Sequence, residues 1–326
     1  MENANDFKIM NNSSVKLNAM EENKKDRTAK IIKNILVYTF LTVVAVASFF
    51  PFYWMIITSL KAEEDFRQSV PSFFPDKAYG GVHFENYSNV LAGRNSIFGQ
   101  ILFNTILVGG ISTFLSIVVT ILTAYALARM NFKGKSLLFT LMLGTMMIPG
   151  EMFTVTNYVT VSKNFHWANT YVVLIVPFLV SIYYIYLLRN AFMQIPETLY
   201  KAAKVDGITD MGYLVKVMVP LTAPTLISIT LLKFIGTWNS YIWPRLVNKQ
   251  KSWRLLSNWV SGGFQIPGTS EPSSTLKMAA ACIAAIPLFL LFVFFRKYIM
   301  HGVSKSGTKG WFNNGFKIKT NRQIKN

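Results

Sequence analysis

The stretch SIFGQILFNTILVGGISTFLSIVVTILTAYALA, residues 96–128, contains no charged residue. A helix needs roughly 20 apolar residues to cross the hydrocarbon core of a bilayer. This run exceeds that length and lacks the alternation of polar and apolar residues that marks a strand of a membrane barrel. It therefore predicts a transmembrane helix.

Five further runs of this kind lie on either side of the first. Three carry no charge, whereas the other two contain one charged residue each, Glu151 or Lys233. The runs are residues 34–60, 136–162, 167–188, 217–244 and 278–295. Because every spanning backbone must satisfy its own hydrogen bonds, we predict an all-α membrane protein with six transmembrane helices, over residues 31–300.

The composition supports the membrane class and excludes several others. Only 15% of the 326 residues are charged and 52% are hydrophobic, whereas a soluble domain is about 25% charged. The net charge of +18 is therefore interpreted as a topology signal, with no nucleic acid as partner. Cys282 is the single cysteine, which excludes a disulfide within the chain. The histidines show no metal-ligand spacing, so we predict neither a metal site nor catalytic residues.

The distribution of Lys and Arg predicts the orientation. About twice as many of them flank the runs on the side of the N-terminus as on the opposite side, which places both termini in the cytosol. Residues 1–30 are rich in Asn, Ser and Glu and predict a disordered cytosolic tail. Residues 301–326 predict a basic cytosolic tail.

The cytosolic connection at residues 195–220 predicts two short helices. Pro196 starts the first helix, and the pair Asp206-Gly207 ends it, since glycine readily takes the left-handed conformation. Thr209 is suited to cap the second helix.

One face of the first short helix predicts a contact with another protein. Leu199, Ala202 and Ala203 lie on it at positions i, i+3 and i+4, and two alanines would let another backbone approach closely. The alternative is an amphipathic helix on lipid headgroups, anchored by Lys201 and Lys204.

The string KAAKVDGI at residues 201–208, followed by VPLTAP from Val219, resembles the E-A-A-x-x-D-G-A loop of binding-protein-dependent ABC importer permeases. Other strings resemble the sugar-importing branch of that family, typified by the smaller permease subunit of the maltose importer. They are MIPGE from Met147, LLRNAF from Leu187, WNSYIWP from Trp238 and GVSKSGTKG from Gly302. Lys201 replaces the first Glu of the family loop, so no role of that Glu carries over.

The resemblance implies the type I ABC importer permease fold in the bacterial cytoplasmic membrane, as a multi-pass protein in the lipid bilayer. It also implies a transport subunit, not an enzyme, which itself binds no cofactor. The partners would be a second homologous permease, two cytosolic ATPase subunits that hold ATP and Mg, an extracellular solute-binding protein and a sugar substrate. The residues that would couple this chain to the ATPases are Leu199, Ala202, Ala203, Asp206 and Gly207.

Trp238, Asn239 and Tyr241 are the candidate residues of the substrate pathway. Sugars are bound by amides and hydroxyls through their OH groups and by aromatic faces through their C–H surfaces. The resemblance places this region on the translocation pathway. For the nearby Trp243 we favour an aromatic belt at the headgroups.

Glu151 and Lys233 are the two ionisable residues inside the runs. One hypothesis is a mutual ion pair or a shared polar lining of a cavity. The alternative is that each side chain reaches the external interface independently.

Two other classes of membrane protein remain as alternatives. An ion-coupled secondary transporter of a small polar solute would show several carboxylates at mid-membrane and internal repeats, but only Glu151 lies within a run. A polytopic membrane enzyme would require clustered catalytic residues, which the sequence lacks.

Overall fold

The computed structural model describes residues 3–92 and 97–304, and side chains within residues 30–92 and 97–296. The described residues are helical and contain no strand, apart from an isolated antiparallel bridge between Gln265 and Pro272. This confirms the predicted all-α class. The α-helices are Asn3–Ser59, Glu63–Phe66, Glu85–Ala92, Phe98–Arg129, Lys135–Thr145, Thr154–Val159, Tyr171–Ile175, Ile182–Met193, Glu197–Val205, Asp210–Tyr213, Val219–Leu221, Ala223–Trp238, Ile242–Val247, Leu256–Val260 and Ser274–Ser304. Short 3-10 helices lie at Lys77–Tyr79, Gly150–Phe153, Val176–Phe178 and Lys251–Trp253, and π-helical turns at Thr160–Asn164 and Leu214–Met218.

Three unbroken helices are long and apolar enough to cross a membrane. We name them span 1 (Lys30–Ser59), span 2 (Phe98–Arg129) and span 6 (Ser274–Arg296). The other three spans are each formed by two helices that meet at a bend. They are span 3, Lys135–Thr145 with Gly150–Asn164 at 84°; span 4, Tyr171–Phe178 with Ile182–Met193 at 47°; and span 5, Asp210–Leu221 with Ala223–Trp238 at 81°.

Counting each bent pair as one span yields the six predicted spans. The runs at 136–162, 167–188 and 217–244 do not form straight helices, because prolines interrupt the hydrogen-bond ladder. Pro149 lies at the bend of span 3 and Pro224 at the start of the second helix of span 5. The final part of the last of these runs forms a separate helix, Ile242–Val247.

Span 2 lies at the centre of the bundle and packs against spans 4 and 5. Its buried face is rich in small residues, which let helices approach closely within a membrane. The closest approach is at Gly109, where an added Cβ would lie 3.0 Å from the Phe234 ring of span 5. The small buried residues of this face are Thr105, Gly109, Ser112, Thr113, Ser116, Thr120 and Ala124.

Span 1 packs mainly against span 6, and its side chains are exposed within the chain from Lys30 to Phe52. Helical backbone continues from span 1 back to Asn3, through the segment predicted to be a disordered tail. Side chains before residue 30 are not described, so a separate tail at 1–30 stays a prediction. Span 6 continues as helix to Ser304, and most of the predicted basic tail lies outside the described residues.

Glu63, in the loop after span 1 that is predicted to be external, caps the start of span 6. Its carboxylate accepts hydrogen bonds from the Ser273 hydroxyl at 2.8 Å and the Thr275 hydroxyl at 2.9 Å. The backbone amides of Ser274 and Thr275 donate at 3.2 and 3.1 Å. Burial alone would raise the pKa of Glu63, but these hydrogen bonds outweigh it and hold the pKa below its ordinary value of 4.5. The amides at a helix start lack intrahelical partners, so this carboxylate satisfies them.

Candidate functional site

The connection at residues 195–220, which is predicted to be cytosolic and which we call the coupling segment, forms two helices joined by a tight turn. Glu197–Val205 is the first helix, and Asp210–Tyr213 begins the second. Gly207 in the turn has φ of +73°, the left-handed region that glycine accepts without steric cost. The Thr209 hydroxyl accepts a hydrogen bond from the amide of Gly212 at 3.2 Å, which confirms the predicted cap.

Side chains connect the two helices of the coupling segment to each other. The Asp210 carboxylate accepts from Lys204 Nζ at 2.8 Å and from the Tyr200 hydroxyl at 2.9 Å. The hydrogen bond to Asp210 raises the pKa of the Lys204 ammonium. The Tyr200 and Tyr213 rings pack edge to face with centroids 5.2 Å apart. These contacts make the coupling segment a compact unit.

Arg129, at the end of span 2, joins the coupling segment to the membrane bundle. Its guanidinium donates to the carbonyl of Phe192 at 3.2 Å and to that of Ile195 at 2.6 Å. The last carbonyls of a helix lack intrahelical partners, so a cation there satisfies them. Arg129 is one of the basic residues counted above for the orientation, and the sequence alone did not indicate this contact. Its place at the end of span 2 was the available clue to this role.

The predicted docking residues lie on two different faces of the first coupling helix. Leu199 is 43% exposed, and Ala202, Asp206 and Gly207 are also exposed. Ala203 instead is 6% exposed and packs in the cluster of buried residues that includes Tyr213. Its small size lets the two coupling helices approach each other.

Two neighbouring residues, Val205 and Lys201, are also exposed on the first coupling helix, whose exposed side we call the outer face. Val205 is 88% exposed, and sequence reasoning missed it because it follows the basic residue Lys204. Lys201 forms an exposed ion pair with Glu197 at 3.4 Å, one turn earlier on the same helix.

Spans 2, 4 and 5 enclose a cavity of about 330 Å³, which we call the inner cavity. Ser112 lines it about halfway along span 2, and Trp243 lines it from the helix after span 5. Hydroxyls also contribute to the lining, from Ser181, Tyr184, Thr237 and Ser240. Hydroxyls beside an aromatic ring suit a polar ligand with C–H surfaces.

Lys233 is the charged residue of the inner cavity. It is 8% exposed, and its ammonium donates to the carbonyl of Phe178 at 2.7 Å. Phe178 lies at the break of span 4, where the bend frees a backbone carbonyl. Lys233 therefore lines the inner cavity, whereas Glu151 is not among the lining residues.

Glu151 and Lys233 are not brought together. Glu151 is exposed in the short helix Gly150–Phe153 after the bend of span 3, whereas the ammonium of Lys233 faces the break of span 4. The predicted mutual ion pair is not among the ion pairs of the described residues. The bend of span 3 places Glu151 in a short helix at an angle to the preceding one.

The three predicted pathway residues lie beside the inner cavity and do not line it. Trp238 is 4% exposed and packs against Ile101 in an apolar cluster. Asn239 and Tyr241 are exposed where the chain turns after span 5. Their place in the pathway stays a prediction, and Thr237 and Ser240 are the hydroxyls of this region that reach the cavity.

Trp243 corrects our interpretation of an aromatic belt. It is 6% exposed, its indole Nε1 donates to the carbonyl of Val173 at 2.9 Å, and its ring packs edge to face on Phe178 at 5.4 Å. A belt residue would face lipid headgroups. The turn after Trp238 instead directs this ring into the bundle.

A second cavity of about 390 Å³, the outer cavity, lies in the external loop after span 5. Arg245, Lys249 and Arg254 line it together with Asn248 and Asn258. The Oδ1 atoms of both asparagines are buried and accept no hydrogen bond from the described residues.

Residues 116–305 match the family described as binding-protein-dependent transport system inner membrane component. The chain is 30% identical to the trehalose/maltose transport system permease protein MalG of Thermococcus litoralis, over 86% of this chain and 99% of that protein. It is 26% identical to the arabinooligosaccharides transport system permease protein AraQ of Bacillus subtilis, over 86% of this chain and 97% of that protein. A crystal structure of a bacterial ABC transporter involved in alginate import has a chain that superposes with a TM-score of 0.69, at 23% identity, over 82% of this chain and 96% of that one. At this identity the superposition shows the fold alone, and it is the predicted one.

Proposed function

Because the chain belongs to the family of binding-protein-dependent transport system inner membrane components, we propose that it is the permease subunit of an ATP-driven carbohydrate importer. The observation that carries the proposal is the inner cavity, where hydroxyls and the Trp243 ring lie together among three membrane spans. Hydroxyl and aromatic groups in one cavity are the chemistry that binds sugars. Relatives named for trehalose/maltose and arabinooligosaccharide transport support the same substrate class.

ATP and Mg would be held by two separate cytosolic ATPase subunits. The exposed face formed by Leu199, Ala202 and Val205 offers them an apolar contact, and Asp206 and Gly207 lie at its end. A second homologous permease would complete the pathway, and an extracellular solute-binding protein would deliver the sugar. The bilayer would cover the exposed apolar side of span 1.

Alternating access would be driven through the coupling segment. The contacts of Asp210 hold the two helices of the coupling segment together. A movement of the ATPase subunits against the outer face would therefore displace both helices as one unit. Arg129 would pass this movement to span 2, and the second coupling helix is itself the first part of span 5. Both spans line the inner cavity, so its opening would change with the state of the ATPases.

Uptake into right-side-out vesicles that contain the complete importer, with ATP enclosed and the binding protein outside, tests the function. We expect accumulation of a labelled oligosaccharide to require ATP and the binding protein, and to persist after an ionophore collapses the ion gradients. The second candidate, an ion-coupled secondary transporter, predicts the reverse. Uptake that continues without ATP and stops with the ionophore would refute the importer.

A further inference from the structure

We infer that the inner and outer cavities recognise an acidic saccharide, with Lys233 and the outer cations Arg245, Lys249 and Arg254 binding its carboxylate or sulfonate groups. This inference rests on the proposed function and specifies its substrate class. It starts from Lys233, since a charged side chain within a membrane span is costly and is retained where it binds a partner or lines a pathway.

The partner of Lys233 in this chain satisfies only part of its bonding capacity. An ammonium has three donors, and one of them reaches the Phe178 carbonyl at 2.7 Å. Among the described side chains, none carries a carboxylate within 4.0 Å of this ammonium. The positive charge therefore faces the inner cavity without an anion from the described residues to neutralise it.

The other polar groups of the inner cavity are neutral. Ser112, Thr237 and Ser240 supply hydroxyls, which can bind sugar OH groups but cannot compensate a charge. A ligand oxyanion would supply the missing countercharge through a charge-assisted hydrogen bond, roughly twice as strong as a neutral one. A neutral sugar would leave the ammonium uncompensated.

The outer cavity provides a second, independent observation. Its lining contains three cations and no acidic residue. The Arg245 guanidinium is held by the Tyr241 hydroxyl and ring. No carboxylate of the described residues lies within ion-pair distance of Lys249 or Arg254.

The two cavities border on the same two segments of the chain. Pro244 lines the inner cavity and the next residue, Arg245, lines the outer one; Leu255 lines the inner cavity and the preceding Arg254 the outer one. An acidic saccharide would thus meet cations first at the external loop and then at Lys233. Cations on an entry route attract anionic ligands and raise their local concentration.

Equilibrium binding to the purified complete importer in nanodiscs, without the binding protein, tests the inference. The probes are uronic-acid trisaccharides of galacto, manno and gluco configuration and one 6-sulfonated glucoside. Each is compared with its neutral counterpart of the same skeleton. We expect at least one acidic probe to bind about tenfold or more tightly than its counterpart, as one hydrogen bond to a charged group is sufficient for this. We also expect that preference to shrink with added salt.

Substitutions test which residues cause the preference for acidic saccharides. Lys233→Gln keeps a donor for the Phe178 carbonyl but removes the charge, so the ratio of acidic to neutral affinity should fall about tenfold, while Lys233→Arg should retain it. Arg254→Gln combined with Lys249→Gln should lower the ratio and its salt dependence. The matched control is Lys251→Gln, in the same loop but outside both cavities, for which the ratio should not change.

Three results would overturn the inference. In the first, neutral saccharides bind as well as or better than every acidic probe, which would leave the carbohydrate importer standing. In the second, Lys233→Gln and Arg254→Gln with Lys249→Gln leave the ratio unchanged, so that the outer cations instead meet an acidic surface of the binding protein. In the third, no saccharide of either kind binds and ATP-dependent saccharide uptake is absent, which would refute the proposed function as well.

Discussion

Single charged residues in this chain act at places where the backbone lacks hydrogen-bond partners. Glu63 accepts from the amides that begin span 6, Arg129 donates to the carbonyls of Phe192 and Ile195, and Lys233 donates to the carbonyl of Phe178 at the break of span 4. In each case an ion binds backbone groups at a helix end or a break, where the regular intrahelical hydrogen bonds are interrupted.

Glu63→Gln should destabilise the external end of the protein. The substitution removes the charge that faces the start of span 6, and loss of a capping group costs about 1 kcal/mol of unfolding free energy. We expect a lower midpoint of thermal unfolding for the purified importer at neutral pH. Glu64→Gln is the matched control, since Glu64 is adjacent and exposed, and equal midpoints for the two variants would contradict the assignment.

The same contact predicts a pH dependence. The pKa of Glu63 in the folded protein lies below its ordinary value of 4.5, so protonation favours the unfolded state. Its contribution is complete above pH 4.5 and is lost as the pH falls through the folded-state pKa. The difference in midpoint between the original protein and Glu63→Gln should therefore shrink in acid.

At the scale of elements, the coupling segment separates two roles that sequence spacing placed on one face. The positions i, i+3 and i+4 span a wide arc of a helix, and here the arc is divided between the ATPase-facing side and the interior. Ala202 is on the outer side, and Ala203 packs in the buried cluster that includes Tyr213.

Ala202→Glu and Ala203→Glu should therefore fail in different ways. Ala202→Glu places a charge on the exposed apolar face, so we expect the partner permease to co-purify while recovery of the ATPase subunits falls about tenfold or more. Ala203→Glu buries an unpaired charge, which destabilises a fold by several kcal/mol, and should prevent assembly altogether. Ala202→Ser is the control and should resemble the original protein. If Ala202→Glu retains the ATPases, the docking face lies elsewhere.

At the scale of the whole molecule, the bundle is incomplete as a single chain. Span 1 has no buried residue in its apolar window, and only 11% of the window of span 6 is buried. In a membrane, lipid or another subunit covers such surfaces without cost. The chain therefore presents a lipid-compatible side at span 1, whereas the inner cavity is lined by spans 2, 4 and 5.

The predicted orientation can be measured with the single cysteine, Cys282, removed. In a Cys282→Ser background, Thr269→Cys in the loop before span 6 should react with a membrane-impermeant maleimide in intact cells. Lys201→Cys in the coupling segment should react only after permeabilisation, because the positive-inside rule places it in the cytosol. Both positions are exposed. The opposite labelling pattern would reverse the topology.

The number of spans was predictable because the length of an uncharged run reports directly on the thickness it can cross. The bends were not predictable, because Pro149 marks where a helix is interrupted but does not determine the direction of the helix that follows. The coupling turn was predictable at Gly207 and Thr209, where local backbone geometry selects the residue type.

The sequence alone determined the helical membrane class, because that class depends on the length of the uncharged runs. It also determined the position of the coupling segment and the resemblance to the family, because both depend on residues that are neighbours in the chain. Only the tertiary structure decided that Ala203 is interior, that Trp243 lines the inner cavity and that Lys233 meets Phe178 and not Glu151. These depend on how bent spans rotate and pack against one another. Residues far apart in the chain set that rotation, so no local pattern records it.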